Sequence, residues 1–338
     1  FKQKTAYEML RSLVGSEMCI RDSAMTEQSP AGFPPGTPTS KAAAARSPGQ
    51  MVWQRFRRHP GAVGGSLLFA LLVLAVALAF LSPHDPIQGN LGERLQPPSW
   101  KHPMGTDALG RDLLTRVLYG GRISLTVGLL VVAIILVIGV TVGSLAGFFG
   151  GWIDNLLMRI TDAGLSLPSL LVLILFGAML REVGGEFFQR NNVVTIAAVI
   201  GLLSWMTVAR LVRASFLTIR EQEFILAARS LGASPWRIVV RHMLPNAIGP
   251  IIVEATLELG YAIMEEAGLS FLGFGIQLPT PSWGNLLSDA QTHLARHPWL
   301  AVFPGVMIFL TIISVNYIGD GLRDAFDPYK VLQKVGVV

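Results

Sequence analysis

The sequence predicts an all-α polytopic membrane protein with six transmembrane helices. Of its 338 residues, 51% are apolar and only 14% are charged, whereas a soluble domain carries about 25% charged residues. The mean hydropathy is +0.51. The apolar residues are also bunched into blocks of roughly 20, the length that crosses a hydrocarbon core. Together these observations exclude a soluble enzyme. Cys19 is the only cysteine, so no intramolecular disulfide and no cysteine-based metal site can form. None of the six lysines stands in a G-x-x-x-x-G-K-[ST] frame, so any ATP is bound by another chain. The net charge of +5 fits the basic bias of cytoplasmic loops better than nucleic-acid binding.

Residues 1–24 show no sustained period and join abruptly to Met25. They are expected to be a non-native leader, with Met25 or Met51 as the true start. Residues 25–61, rich at first in Pro, Ser, Thr, Ala and Gly, read as a disordered cytoplasmic tail. Spans are predicted at 62–81, 123–148, 163–180, 193–212, 247–264 and 299–318. The first follows Arg55, Arg57 and Arg58 and has Ala75, Ala77 and Ala79 near its end, so a cleaved signal peptide is the alternative there. The unit 62–122 holds this span and an extracytoplasmic amphipathic segment, 102–121. In that segment Thr106 or Asp107 caps a helix with Leu109, Leu113, Val117 and Leu118 on one face and Arg111, Asp112 and Arg116 on the other. It lies at the membrane surface, packs on neighbouring spans or simply connects them. Residues 123–320 form the core of the molecule, and 321–338 a cytoplasmic C-terminal tail.

Orientation follows from the basic residues. With both termini inside, fifteen Lys and Arg between Lys41 and Lys334 face the cytoplasm and eight face outside, which agrees with the positive-inside bias.

The loop at 221–245 carries the most information. Residues 224–231 favour a helix, Gly232 suits the left-handed conformation that ends one, and Ser234-Pro235 supplies an N-cap with Pro at the first helical position. Leu244 precedes Pro245 and is thereby biased out of the helical region before the next span. The result is a helix, a turn and a second helix. Small Ala227, Ala228 and Gly232 permit close approach, and Arg229, Arg237 and Arg241 offer charge to a cytoplasmic partner. A solvated basic loop is the alternative. In the following span, Glu254, Glu258 and Glu265 fall within about 40° of one another on a helix. An acid at mid-membrane costs roughly 2.5–3.5 kcal/mol, so this stripe must face protein or water. Glu254 and Glu258 line a pathway on one reading and a polar subunit interface on the other.

The loop resembles the EAA loop of permease subunits in ATP-binding-cassette importers: E-A-A, three residues, Gly, nine residues, I-x-L-P. Ala227-Ala228, Gly232 and Leu244-Pro245 match, Ala233 follows the glycine, Leu226 replaces the acid and His242 replaces the isoleucine. Glu223, one turn earlier, is the candidate substitute for the acid. The blocks HPMGTDALGRDLLTRVLYGGRISL, EAGLSFLGFGIQLPTPSWGNLL and FPGVMIFLTIISVNYIGDGLRDAFDPY are similar to the C-type permease of dipeptide, oligopeptide and nickel importers.

The resemblance implies a MetI-like permease fold in a bacterial inner membrane. It also implies a homologous second permease subunit, two ABC ATPase subunits that hold ATP and Mg, and an extracytoplasmic solute-binding protein. It assigns no cofactor and no catalytic residue to this chain. Glu266, in the E-A-x-L-S-F-L-G block, is expected to be structural, and Asp320 and Arg323 to pair with cytoplasmic elements. His59, His84, His102, His242, His293 and His297 suggest no metal site, and Trp100, Trp152, Trp283 and Trp299 read as membrane-interface aromatics. A secondary transporter using Glu254 and Glu258 as ion sites is the rival class, separated by its independence of any ATPase.

Overall fold

The computed structural model describes residues 48–183 and 191–327. The predicted leader, residues 25–47 of the tail, the 184–190 connection with Arg190, and 328–338 lie outside the described residues. Among the described residues there are twelve α-helices and no β-strand, only an isolated bridge between Thr106 and Asp112.

Helix α1 spans Pro48–Phe56, where a disordered tail was predicted. Composition could not reveal what holds it. Trp53 stacks on Phe56 with centroids 6.0 Å apart, and the Arg55 guanidinium donates to the carbonyls of Ala325 (3.2 Å) and Asp327 (3.5 Å), pinning α1 to a distant part of the chain. Helix α2, Pro60–Ala77, opens with Pro at its first position, and His59 Nδ1 accepts from Ala62 N at 3.0 Å. A 3₁₀ turn at Leu78–Leu81 extends it.

The predicted amphipathic helix at 102–121 is half loop. Asp107 does not cap it; its Oδ1 accepts from the N–H groups of Leu109 and Arg111 and holds a turn. The helix α3 begins at Leu113, with Asp112 as its N-cap, and runs unbroken to Phe149. The polar face of the segment is interior: Arg111, Asp112 and Arg116 are 6%, 3% and 0% exposed. Their charges are met inside the protein, by Asp107 for both arginines and by Asp289 at the edge. With 37 residues, α3 is about 55 Å long at 1.5 Å per residue and outreaches the roughly 30 Å hydrocarbon core.

Gly150 and Gly151, at φ +66° and +58°, turn the chain into α4 (Gly151–Leu165), which is followed by α5 (Ser169–Val183). The predicted single span at 163–180 straddles the break of this pair, which is bent by 87°. Pro168 explains the break, because the residue before a proline is pushed out of the helical region. The fourth predicted span is α6 (Asn192–Ser204) and α7 (Met206–Arg220), bent by 45° at Trp205. After α8 (Glu223–Ser230) and α9 (Pro235–Ile238) comes α10 (Leu244–Phe271), then α11 (Trp283–Gln291) and α12 (Trp299–Phe326). Four stretches are long and apolar enough to cross a membrane, or up to six if each bent pair is one span.

Helix packing follows from small residues. Gly139, Gly143 and Gly147 repeat every fourth position on α3 and face α7; an added Cβ at Gly143 would lie 2.5 Å from the Ala209 carbonyl oxygen, and at Gly147 2.5 Å from Phe216 Cβ. Backbones approach this closely only where side chains are absent. One apolar cluster joins α3, α6, α7 and α10 around Val131, Ile200, Val212 and Ile251. A second joins α2, α3, α11 and α12 around Val76, Val117, Trp283 and Leu300. Trp283 is fully buried and donates from Nε1 to the Val117 carbonyl at 2.9 Å, so it is a core residue and not an interface aromatic. In the four single spans only 22–39% of the apolar window is buried, which leaves most of that surface for lipid or partner chains.

Candidate functional site

The loop between α7 and α10 is built as a helix, a glycine turn and a second helix, as its residues require. Glu223 opens α8, where an acid complements the positive end of the helix. At the other end Gly232 adopts φ +76°. Its N–H donates to the Arg229 carbonyl (2.9 Å) and that of Ala233 to the Ala228 carbonyl (3.1 Å), the paired bonds of a Schellman cap. Ser234 Oγ accepts from Arg237 N and starts α9, with Pro235 at its first position.

The expected break before Pro245 does not occur. A π-helical turn, Val239–Met243, joins α9 directly to α10, and Leu244 keeps helical angles of φ −59° and ψ −44°. A proline in a helix lacks one N–H and crowds the carbonyl four residues back. The wider π turn lies immediately ahead of it, and Asn246 Nδ2 donates to the His242 carbonyl at 2.6 Å. The stretch Pro235–Phe271 is therefore one continuous helical rod of 37 residues.

The loop has two faces. Ile225, Ile238 and Met243 are buried in the main apolar cluster and anchor it, and Arg229 lies over the Phe148 ring at 5.6 Å, tying α8 to the end of α3. Outward point Glu223, Ala227 and Gly232, together with Phe224, Leu226, Leu231 (87% exposed) and Trp236 (76%). Ala228, Ala233 and Leu244 are half-buried and Pro245 is exposed. Exposed apolar side chains of this size make the loop a candidate interaction surface. The sequence reading missed the apolar half of that surface; the signal was Leu231 and Trp236, two large apolar residues flanking a turn. Glu223 forms no ion pair among the described residues.

On α10 the acids separate into two kinds. Glu266 is fully buried and accepts from Ser124 Oγ (2.8 Å) and Ser270 Oγ (2.6 Å); Ser124 in turn accepts from Trp283 N. It fastens α10 to α3 and α11, a structural role. Glu265 accepts from Ser204 Oγ at 3.2 Å. Glu258 is 7% exposed and Glu254 half-buried, one turn apart, and neither carboxylate accepts a hydrogen bond among the described residues. Asp320 and Arg323 make no ion pair there either; on α12 it is Asp324 that meets His59, at 3.7 Å. His293 and His297, four residues apart, have ring centroids 6.4 Å apart.

The model of the binding-protein-dependent transport system inner membrane component matches residues 139–330. The chain belongs to that family. A second match, to the N-terminal TM domain of oligopeptide transport permease C, covers residues 47–98. That stretch includes α1 and α2. Relatives cover nearly the whole molecule. The chain is 41% identical over 285 residues to the dipeptide transport system permease protein DppC of Alkalihalophilus pseudofirmus, 84% of this chain and 91% of that protein. It is 42% identical to DppC of Bacillus subtilis, over 82% of this chain and 85% of that one. To the glutathione transport system permease protein GsiD of Pectobacterium atrosepticum it is 39% identical, over 86% and 94%. As a member of this permease family the chain is a multi-pass inner-membrane component of an importer, and it works with an ATPase and a binding protein.

Proposed function

We propose that this chain is one of two homologous permease subunits that line the pathway of an ATP-driven importer for dipeptides, oligopeptides or related small solutes. Relatives at about 40% identity are named as dipeptide and glutathione permeases, and small peptides are the cargo class common to those names. Two ATPase subunits carry ATP and Mg, and a solute-binding protein delivers cargo from outside. The basic bias supports cytoplasmic termini and a cytoplasmic α8–α9 loop.

The observation that carries this reading is an exposed apolar face on a loop whose other face is anchored in the core. Closure of the ATPase pair would move Glu223, Ala227, Ala228, Arg229, Gly232 and Ala233 as a unit. Leu244 and Pro245 stand where that motion enters the rod formed by α9 and α10. A rod without a break transmits a tilt, and bistable packing converts the tilt into a switch of access. Glu254 and Glu258 ride on the same rod, and as acids without hydrogen-bond partners among the described residues they suit the ammonium group of a peptide. ATPase activity and peptide uptake of the reconstituted complex test the coupling. Trp236→Ala should keep basal ATPase activity and lose uptake; full uptake would remove the loop from the mechanism.

A further inference from the structure

The segment joining α2 to α3 brings together three residues that are distant in sequence. His84, His102 and Asp112 each offer a ring nitrogen or carboxylate oxygen within 4.8 Å of the other two. His102 Nδ1 lies 2.9 Å from Asp112 Oδ1, and the two imidazole centroids are 5.0 Å apart. His102 and Asp112 are 2% and 3% exposed, whereas His84 is half-buried and keeps one side of the cluster accessible.

Two features distinguish this cluster from an ordinary histidine–aspartate hydrogen bond. Asp112 Oδ2 is committed to the α3 cap, accepting from Thr115 N (2.8 Å) and Thr115 Oγ1 (2.7 Å), so the carboxylate is fixed with Oδ1 toward the histidines. Moreover, His102 Nε2 is buried and has no hydrogen bond among the described residues. Its nearest charged neighbour is Glu93 Oε2, at 3.6 Å. Coordination through Nδ1 would place the ring proton on Nε2, facing Glu93. A carboxylate behind a ligating histidine is the usual way such a ring is oriented.

We propose that His84, His102 and Asp112 bind a divalent transition-metal ion of the zinc class, with Glu93 orienting His102. Two imidazoles and one carboxylate suit zinc and its neighbours, whereas calcium and magnesium take oxygen ligands. The fourth position is left to water on the His84 side. The ion clips the chain just beyond α2 to the first turn of α3, on the face that the proposed topology places outside. The site is independent of the cargo and of the coupling loop.

The test uses the purified, chelator-stripped transporter complex, titrated separately with Zn²⁺ and Co²⁺. Wild type should bind one more Zn²⁺ per copy of this chain than His84→Ala, show the visible d–d bands of coordinated Co²⁺, and melt at a higher temperature with Zn²⁺ than without. His84→Ala should lose the ion, the bands and the thermal shift, and Glu93→Gln should weaken binding roughly tenfold. Should His84→Ala fail to assemble, His84→Gln, closer in size and polarity, takes its place. Equal Zn²⁺ stoichiometry and equal thermal shift in wild type and variant would overturn the proposal.

Discussion

Gly232 separates folding from docking within a single residue. Its φ of +76° disfavours any residue with a Cβ, yet an added Cβ would meet nothing within 4 Å. Gly232→Glu therefore costs the fold only the backbone term, about 1–2 kcal/mol, and places bulk and charge on the exposed face of the loop. The variant should reach the membrane at near-normal levels and fail to co-purify with the ATPase subunits. Gly232→Asn, whose side chain tolerates the left-handed region, should recover most of the binding; recovery of ATPase by the Glu variant would contradict the docking role. Glu258→Gln asks a different question, since it keeps shape and removes charge. Uptake of zwitterionic peptides should fall severalfold with assembly intact, and unchanged uptake kinetics would place Glu258 at an interface. At this scale the sequence was informative where chemistry is local: the glycine cap, the Ser-Pro start and the acid stripe are visible as residue types at fixed spacing. The burial of Arg116 was not. Its partners Asp107 and Asp289 come from a loop and from α11, and no periodicity pairs them.

At the scale of elements, apolar blocks fell on all four helices long enough to cross a membrane and on both bent pairs, but gave no sign of the bends. The breaks at Pro168 and Trp205 fall inside continuous apolar runs, where hydropathy is blind to direction. Pro245 errs the other way: a local rule predicted a break that the π turn absorbs. What holds the bent elements is polar. Asp154 on α4, 9% exposed, takes two hydrogen bonds from Arg213 on α7, at 2.5 and 2.7 Å. Asp154→Asn removes the charge and one acceptor, a loss of roughly 1.5 kcal/mol, kept at the low end because the Arg213 side chain is a third exposed. The purified complex should melt a few degrees lower, and an unshifted transition would show that the Asp154–Arg213 pair contributes little to holding α4, which Arg210 also ties to α7 through Asp162. Helix α1 carries the same lesson from the opposite direction. Its sequence is short and unremarkable in composition, and its order depends on the carbonyls at the end of α12.

For the whole molecule, most of the apolar surface of the single spans is outward-facing, and the loop between α7 and α10 presents an apolar face to solvent. The first suits lipid or partner chains, and the second suits a docked partner. On the proposed function, energy reaches this chain from ATPase subunits docked on that loop. Affinity purification from the native membrane, with identification of the bound chains and peptide uptake measured before and after ATP depletion, tests it most directly. The expected result is recovery of a second permease and ATPase subunits, with uptake abolished when ATP is removed. Recovery of this chain alone, with uptake that survives ATP depletion and collapses with the ion gradient, would contradict it and make Glu254 and Glu258 the ion sites of a secondary transporter.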